Sequence, residues 1–252
     1  MIGRLGRPKT PWPLPRRRPF AALMVGLGLI AGTHAAPPAA HADSPLREAI
    51  TLYQQGRHAE AARLFEQAAE SGSVQAQFNL GVMYDSGVGV PEDDAAAARW
   101  YRRAAEQGDA QAQFNLALLH DGGDGVPRDR TAAARWYRAA AKQGVARAQF
   151  NLARMHEIGE GVALDREAAR VWYRRAAEQG FLKAQVNLGL LHLEGTGQPH
   201  DAIEAYVWLR RALAQGHTPA RGPLDALERR MSPAALSEAR ARLAAPPATG
   251  SP

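Results

Sequence analysis

The sequence predicts an all-α protein, a solenoid of helix-turn-helix repeats, and three observations carry that prediction. A 36-residue pattern, SVQAQFNLGVMYDSGVGVPEDDAAAARWYRRAAEQG at 73–108, returns three more times. Ala76, Ala112, Ala148 and Ala184 then share one column, as do Asn79, Asn115, Asn151 and Asn187, and Leu80, Leu116, Leu152 and Leu188. Trp100, Trp136, Trp172 and Trp208 form a further column, and Gly87, Gly123, Gly159 and Gly195 another. Within each copy, two segments with apolar residues at helical spacing are parted by a glycine-rich stretch. Self-similarity at this period marks units that bury their apolar faces only by stacking on one another.

The chain begins with a basic stretch ending in Arg16-Arg17-Arg18, then an apolar run from Phe20 to Ala31, then small residues around Thr33-His34-Ala35 and Ala40-His41-Ala42. This is the three-part layout of a secretory signal over 1–42, with cleavage after Ala35 or Ala42. About 12 apolar residues are too few for a bilayer span, which takes ~20, so a cleaved signal is expected rather than an anchor. Arg17-Arg18-Pro19-Phe20 resembles the core of a twin-arginine signal, although Arg16 stands where that family has Ser or Thr. An ordinary basic leader is the alternative. Either route predicts export, most simply to a bacterial periplasm.

Residues 45–72 read as two short helices hinged at Gly56, an atypical first unit without the glycine-rich loop of the later ones. In the first full repeat, 73–108, one helix runs from about Ser73 to Ser86 and turns Ala76, Leu80, Met83 and Tyr84 inward. Gly87, Gly89 and Pro91 end it. Asp93 stands where the second helix begins, as do Asp129, Asp165 and Asp201, where a short carboxylate accepts the free amides of the first turn. The second helix is expected to bury Ala97, Trp100, Tyr101, Ala104 and Ala105, with the tryptophan as the large ring of each unit, and Gly108 closes it. The next copies span 109–144, 145–180 and 181–216. The period then stops. Pro223 to Met231 and Ser232 to Ala244 read as two cap helices, and 245–252 as a disordered tail.

The string Ala76, Leu80, Gly81, Tyr84, Gly87, Gly89, Val90, Asp93, Ala97, Trp100, Tyr101, Ala104, Ala105, Gln107, Gly108 resembles the Sel-one-like repeat, a relative of the tetratricopeptide repeat. The resemblance covers 73–216. It departs where Gly81 becomes Ala117 and Ala153, where the tyrosine of position 84 becomes His120, His156 and His192, and in the last copy, which has Gln198 and Leu209. Exported relatives often bridge each unit with a cysteine pair, and this chain has no cysteine. The resemblance implies a right-handed superhelix of helix pairs acting as a protein-binding scaffold, usually without enzymatic activity. By analogy with exported relatives it also implies regulation of envelope signalling or assembly.

The composition bounds the partner. The net charge is +6, but Arg4, Arg7, Lys9, Arg16, Arg17 and Arg18 all lie in the leader, leaving 25 basic against 25 acidic residues after it. A neutral body argues against a phosphate-binding face, so nucleic acid is not the expected partner. The absence of cysteine excludes disulfides, thiolate metal sites and a cysteine nucleophile. His120, His156 and His192 share a column, but stacked helix pairs lie about 8–10 Å apart. A single zinc needs its nitrogens at about 2 Å. The column is therefore read as histidine in place of a packed tyrosine. Asp85, Asp121 and Glu157 are too evenly spread to nominate a catalytic pair. No catalytic, cofactor or metal site is nominated.

The candidate site is the face of the first helices left over after packing. At 100° per residue it holds Phe78, Phe114, Phe150 and Val186, then Asn79, Asn115, Asn151 and Asn187, then Val82, Leu118, Arg154 and Leu190. First helices line the concave side of such arrays, so these residues predict a groove in which an apolar stripe is flanked by amides. The groove would hold a protein or peptide partner of the cell envelope. The alternative is that phenylalanine and asparagine pack on the neighbouring unit and tie helices together. Arg102, Arg138, Arg174 and Arg210 form a ladder on the second helices, read as a solvated face with stems packed on the tryptophans. Two other functions share the sequence: a cell-wall-active or antibiotic-binding enzyme, and a secreted factor acting on a host.

Overall fold

The computed structural model describes residues 43–194 and 199–244. The expected export signal over 1–42, the tail over 245–252, and the loop residues Gly195, Gly197 and Gln198 lie outside the described residues. The described chain is helix after helix. α1 (Asp43–Gln54) and α2 (His58–Glu70) make the first pair. Four copies follow: α3 (Val74–Ser86) with α4 (Asp94–Glu106), α5 (Ala110–Gly122) with α6 (Arg130–Lys142), α7 (Ala146–Ile158) with α8 (Arg166–Glu178), and α9 (Leu182–Leu193) with α10 (Pro199–Ala214). A 3-10 turn (Thr218–Ala220), α11 (Arg221–Glu228) and α12 (Pro233–Ala244) come last.

Two compact units are distinguished. Among the described residues one comprises 43–107 with 122–128, the other 108–121 with 129–194 and 199–244. In the first, α2 packs on α3 and α3 on α4 around Phe65, Leu80 and Met83. In the second, α6 to α10 pack each on the next, and α10 carries α11 and α12. Its core runs through Leu116, Leu152 and Leu188 and ends on Ile203, Leu209, Leu224 and Leu227 beneath the last helices.

Each boundary has a local cause. The Asp93, Asp129 and Asp165 carboxylates accept from the amides of Ala96, Ala132 and Ala168, each at 2.9 Å, and so begin α4, α6 and α8. Asp201 departs from this pattern. α10 starts earlier, at Pro199, which places Asp201 inside its first turn. Ser232 accepts from Ala235 at 3.2 Å and opens α12. Between the helices of a pair, the backbone amides of Asp93, Asp129 and Asp165 donate to the carbonyls of Tyr84, His120 and His156 at 3.0, 2.9 and 2.8 Å, which closes the loop on the first helix. The second loop glycine then lies against the preceding pair. A Cβ on Gly161 would sit 2.3 Å from the Arg130 carbonyl oxygen, and the residue holds φ +72°.

The large core ring is tyrosine, not tryptophan. Tyr101, Tyr137 and Tyr173 are 0 % exposed, whereas Trp100, Trp136 and Trp172 are half-buried. On a helix, residues four, seven and eight apart share a face, so Ala97, Tyr101, Ala104 and Ala105 point inward together and Trp100 falls on their flank. There the half-exposed indole takes a guanidinium over its ring, Arg103 at 4.6 Å from the Trp100 centroid and Arg175 at 4.7 Å from that of Trp172. The stacking arginines are thus one position on from the expected ladder. Arg210, a member of that ladder, instead binds Glu228 of α11 at 2.8 Å. Only in α10, where Leu209 replaces the tyrosine, is the tryptophan, Trp208, buried.

A second buried feature is polar. Gln77, Gln113, Gln149 and Gln185 are 3–6 % exposed at the start of their helices. Gln77, Gln149 and Gln185 donate to the carbonyls of Ala69, Ala141 and Ala177 on the preceding pair, at 3.0, 3.0 and 3.2 Å. Each of the four accepts from the glutamine that ends its own pair, Gln107, Gln143, Gln179 and Gln215, at 2.7, 2.9, 2.7 and 3.2 Å. One amide therefore joins three helices.

The loop glycines supply a graded test. Gly180 also has positive φ, at +81°, but nothing lies within 4 Å of its Cβ position, so Gly180→Ala should cost about 1–2 kcal/mol from backbone strain alone. Gly161→Ala adds a backbone collision and should lower the urea midpoint by clearly more. Equal losses at the two positions would contradict this account of the loop.

Candidate partner-binding face

The first unit holds Phe78, Asn79 and Val82; the second holds Phe114, Asn115, Leu118, Phe150, Asn151, Arg154, Val186, Asn187 and Leu190. Within the first, Phe78 and Val82 are half-buried and Asn79 is buried. Within the second, Phe114 and Val186 are buried, while the other seven are half-buried.

Packing explains these differences. The rings of Phe78, Phe114 and Phe150 lie 6.0, 6.0 and 5.6 Å from those of Tyr101, Tyr137 and Tyr173, so each phenylalanine leans on the tyrosine of its own pair. Phe150 also meets Phe181 at 5.2 Å. The Asn187 side chain donates to the Tyr173 hydroxyl at 3.1 Å, and Asn151 lies beside that of Tyr137. Asn187 therefore ties α9 to the tyrosine of the pair before it, and Asn151 stands in the same place toward Tyr137. Leu118, Arg154 and Leu190 keep partial access to solvent with no ring contact of this kind. On this face the third column, apolar but for one cation, is half-buried in all four repeats.

A carboxylate column lies one turn further along the same helices. The Tyr101 hydroxyl donates to Asp85 at 3.3 Å and the Tyr173 hydroxyl to Glu157 at 2.6 Å. Burial pushes the Asp85 carboxyl above its usual range, against the Tyr101 hydrogen bond and with the help of the charges on Asp94, Glu92 and Asp124. In the middle repeat, burial together with the Asp121 charge drives the Tyr137 phenol well above its ordinary value. The even spacing of Asp85, Asp121 and Glu157 was legible in the sequence, but their pairing with tyrosine and the glutamine joint were not singled out there. The signal for both was present, since Gln77 and Asp85 each recur at the same period in register with the marked columns.

The histidines take separate partners. The His156 Nδ1 lies 3.3 Å from the Ala163 carbonyl, and the His192 Nδ1 lies 3.3 Å from the Asp201 carboxylate. Burial holds the His192 imidazole below its usual range, opposed by its hydrogen bond to Asp201. Among the described residues no three His, Cys, Asp or Glu side chains converge as a metal site would require, and no helix is long and apolar enough to cross a membrane.

Comparison with known proteins places the repeat. The Sel1 repeat family model matches residues 51–73, 74–109, 110–145, 146–181 and 182–217, so the atypical first unit counts as a shortened copy. Among solved structures, the chain is similar to c5321, described as a protective antigen present in uropathogenic Escherichia coli strains and displaying an SLR fold. The match has 34 % identity and a TM-score of 0.68 and covers 73 % of this chain and 40 % of that one. It is also similar to a Sel1 repeat protein from Oxalobacter formigenes at 33 % identity and a TM-score of 0.66, covering 71 % of this chain and 74 % of the other. The chain thus spans less than half the length of the first of these structures. No curated protein matches it.

The polar layer yields two predictions. Tyr173→Phe strips two partners of a partly buried hydrogen bond and should cost about 1–2 kcal/mol. Tyr137→Phe removes a hydroxyl that gives no hydrogen bond to a carboxylate and should lower the urea midpoint clearly less than Tyr173→Phe does. For His192 the folded value lies below the unfolded one, about 6.5, so the unfolded chain binds the proton more readily. Stability is then full above pH ~6.5 and falls as the pH drops below it. Urea midpoints at pH 7.5 and 5.5 should show this loss in the wild type and less of it in His192→Gln.

Proposed function

Because the chain belongs to the Sel1 repeat family, we propose that it is an exported scaffold of the bacterial cell envelope. On this reading it holds a partner protein or peptide against the exposed face of its first helices. Proteins built of these repeats bind other proteins and are in general non-catalytic scaffolds. Export is supported by the three-part layout of residues 1–42. Regulation of an envelope signalling or assembly process is the role that fits such a scaffold there.

The observation that carries the binding reading is the third column of the first helices. Leu118 and Leu190 pack against the core yet stay only half-buried, although the interior takes every other leucine of α5 and all but the terminal ones of α9. Apolar side chains that packing leaves accessible on a rigid helix are suited to receive those of another chain.

Two experiments bear on the proposal. Cell fractionation of the tagged full chain should recover a shortened form, lacking about 35–42 residues, in the periplasm. An unprocessed cytosolic chain would end the export reading. From envelope extract the wild type should retain a stoichiometric protein, and Leu118→Asp with Leu190→Asp should lose it at an unchanged melting temperature. Capture that survives the double substitution would move the binding face elsewhere. Peptidoglycan turnover by the purified chain without a retained partner would favour the wall-active enzyme instead.

A further inference from the structure

The second unit contains a buried donor and a half-buried cation that face a single carboxylate. In the repeats on either side, the tyrosine of the second helix gives its hydroxyl to the carboxylate of the first, Tyr101 to Asp85 and Tyr173 to Glu157. In the repeat between them that bond is not made. The Tyr137 hydroxyl is buried, has the Asn151 amide beside it and, among the described residues, gives its proton to no carboxylate, and the residue is 0 % exposed. The Asp121 carboxylate instead sits 3.7 Å from Arg154 Nη2 and 3.7 Å from Arg130 Nε. Both distances are those of an ion pair but lie beyond a hydrogen bond.

Neither donor is well served by this arrangement. Among the described residues the buried Arg154 Nε has no acceptor, and the ion pair of this guanidinium is the long one to Asp121. Arg130 differs, because it also pairs directly with Glu160. An unmet buried donor costs about 1–3 kcal/mol, so Tyr137 and Arg154 compete for one acceptor. Arg154 is also the only charged residue in its column, where the other repeats of this unit have Leu118 and Leu190. Its side chain is 29 % exposed, against 6 % for Asp121. A second carboxylate can therefore reach Arg154 from solvent, and one arriving there would free Asp121 for the tyrosine.

We propose that Arg154 is the specificity determinant of the partner-binding face. It receives an aspartate or glutamate side chain from an apolar segment of the partner, while Asp121 passes from Arg154 to the Tyr137 hydroxyl. The proposal rests on the binding reading given above and names the chemistry of its occupant. Leu118 and Leu190 take the apolar side chains that flank the acid. The nearby carboxylates do not compete for the cation, since Glu157 is held by the Tyr173 hydroxyl and Glu160 by Arg130. A bound carboxylate pairs the solvent-facing end of the Arg154 guanidinium and lets Asp121, still beside Arg130, turn to the Tyr137 hydroxyl as Asp85 and Glu157 already do to those of Tyr101 and Tyr173. The occupied repeat then has one acceptor more than the empty one. An apolar segment with an amide in place of the acid brings no charge and leaves Asp121 where it is.

The probe is a library of random 12-residue peptides displayed on phage and selected on the immobilised full chain. The selected peptides should carry Asp or Glu between apolar residues. One of them, synthesised, should lose about tenfold in affinity on Arg154→Met, the loss of one charge-assisted hydrogen bond, and about as much when its acid is replaced by the amide. The two losses should not add. Tyr137→Phe, which touches no peptide atom, should weaken the acidic peptide about threefold and leave its amide counterpart unaffected. Should Arg154→Met fail to reach the wild-type melting temperature, Arg154→Lys, which keeps the charge and loses the fork, should give a smaller loss in the same peptide-dependent pattern. Selected peptides without an acid, or with a base in its place, overturn the proposal and leave the binding face standing. The same is true of an acidic peptide indifferent to both Arg154 variants. Selection of no peptide at all overturns the binding face and the proposal together.

Discussion

A primary amide buried at the start of each first helix sets the terms for the rest of the fold. An amide removed from water without partners costs several kcal/mol, and Gln77, Gln149 and Gln185 meet that cost with a carbonyl eight residues back and a second glutamine thirty residues on. Those two separations fix the register of three consecutive helices. A loop of a different length would pull the amide off one acceptor or the other, so the constancy of the 36-residue period is a hydrogen-bonding requirement as much as a packing one. Alanine makes the joint possible. Ala76, Ala112, Ala148 and Ala184, one residue before each glutamine, are 0 % exposed, and only a methyl group lets the backbones approach within reach of a side-chain amide.

With the register fixed, the second helix presents a tyrosine to the interior and a tryptophan to its flank. The difference between the two aromatics is their polar atom. A phenol buried on its ring still ends in a hydroxyl that must find an acceptor, and the carboxylate one turn beyond the groove residues supplies it in two repeats. The indole, set 100° away, keeps its edge toward solvent and its face toward an arginine. Tyrosine thus couples the packed interior to the exposed face of the first helices, because its ring touches phenylalanine and its hydroxyl touches a carboxylate and an asparagine. A contact made on that face has a direct route to the core.

Much of this was legible in the sequence, for a definite reason. Helix ends are decided by single residues with strong local preferences, and Asp93, Asp129 and Asp165 mark three of them within one residue. Burial on a helix flank is decided by an angle, and two adjacent aromatics both match an apolar pattern when only the pattern is read, so the choice between Trp100 and Tyr101 was not available without neighbours. The same limit applies to Asp201, where the entry to α10 departs from its siblings. Polar residues in the interior were the least legible. Gln77 and Asp85 look like surface residues of an amphipathic helix, and only the close approach of the next pair turns them into core.

Repetition also clarifies what the exceptions mean. Four near-copies of one unit establish what each position needs for stability, so a departure at one copy alone is either compensated nearby or left with an unmet group. Leu209, in place of a tyrosine, is compensated by the burial of Trp208. Arg154 is not, since its nearest carboxylate is shared with Arg130 and is withheld from Tyr137. Leu118 and Leu190 show that a leucine is accommodated at this position in the neighbouring copies. A cation that holds the carboxylate away from the tyrosine is therefore better understood through a bound state than through the free one, and the middle of the second unit is where internal pairing is given up on the face proposed to meet a partner.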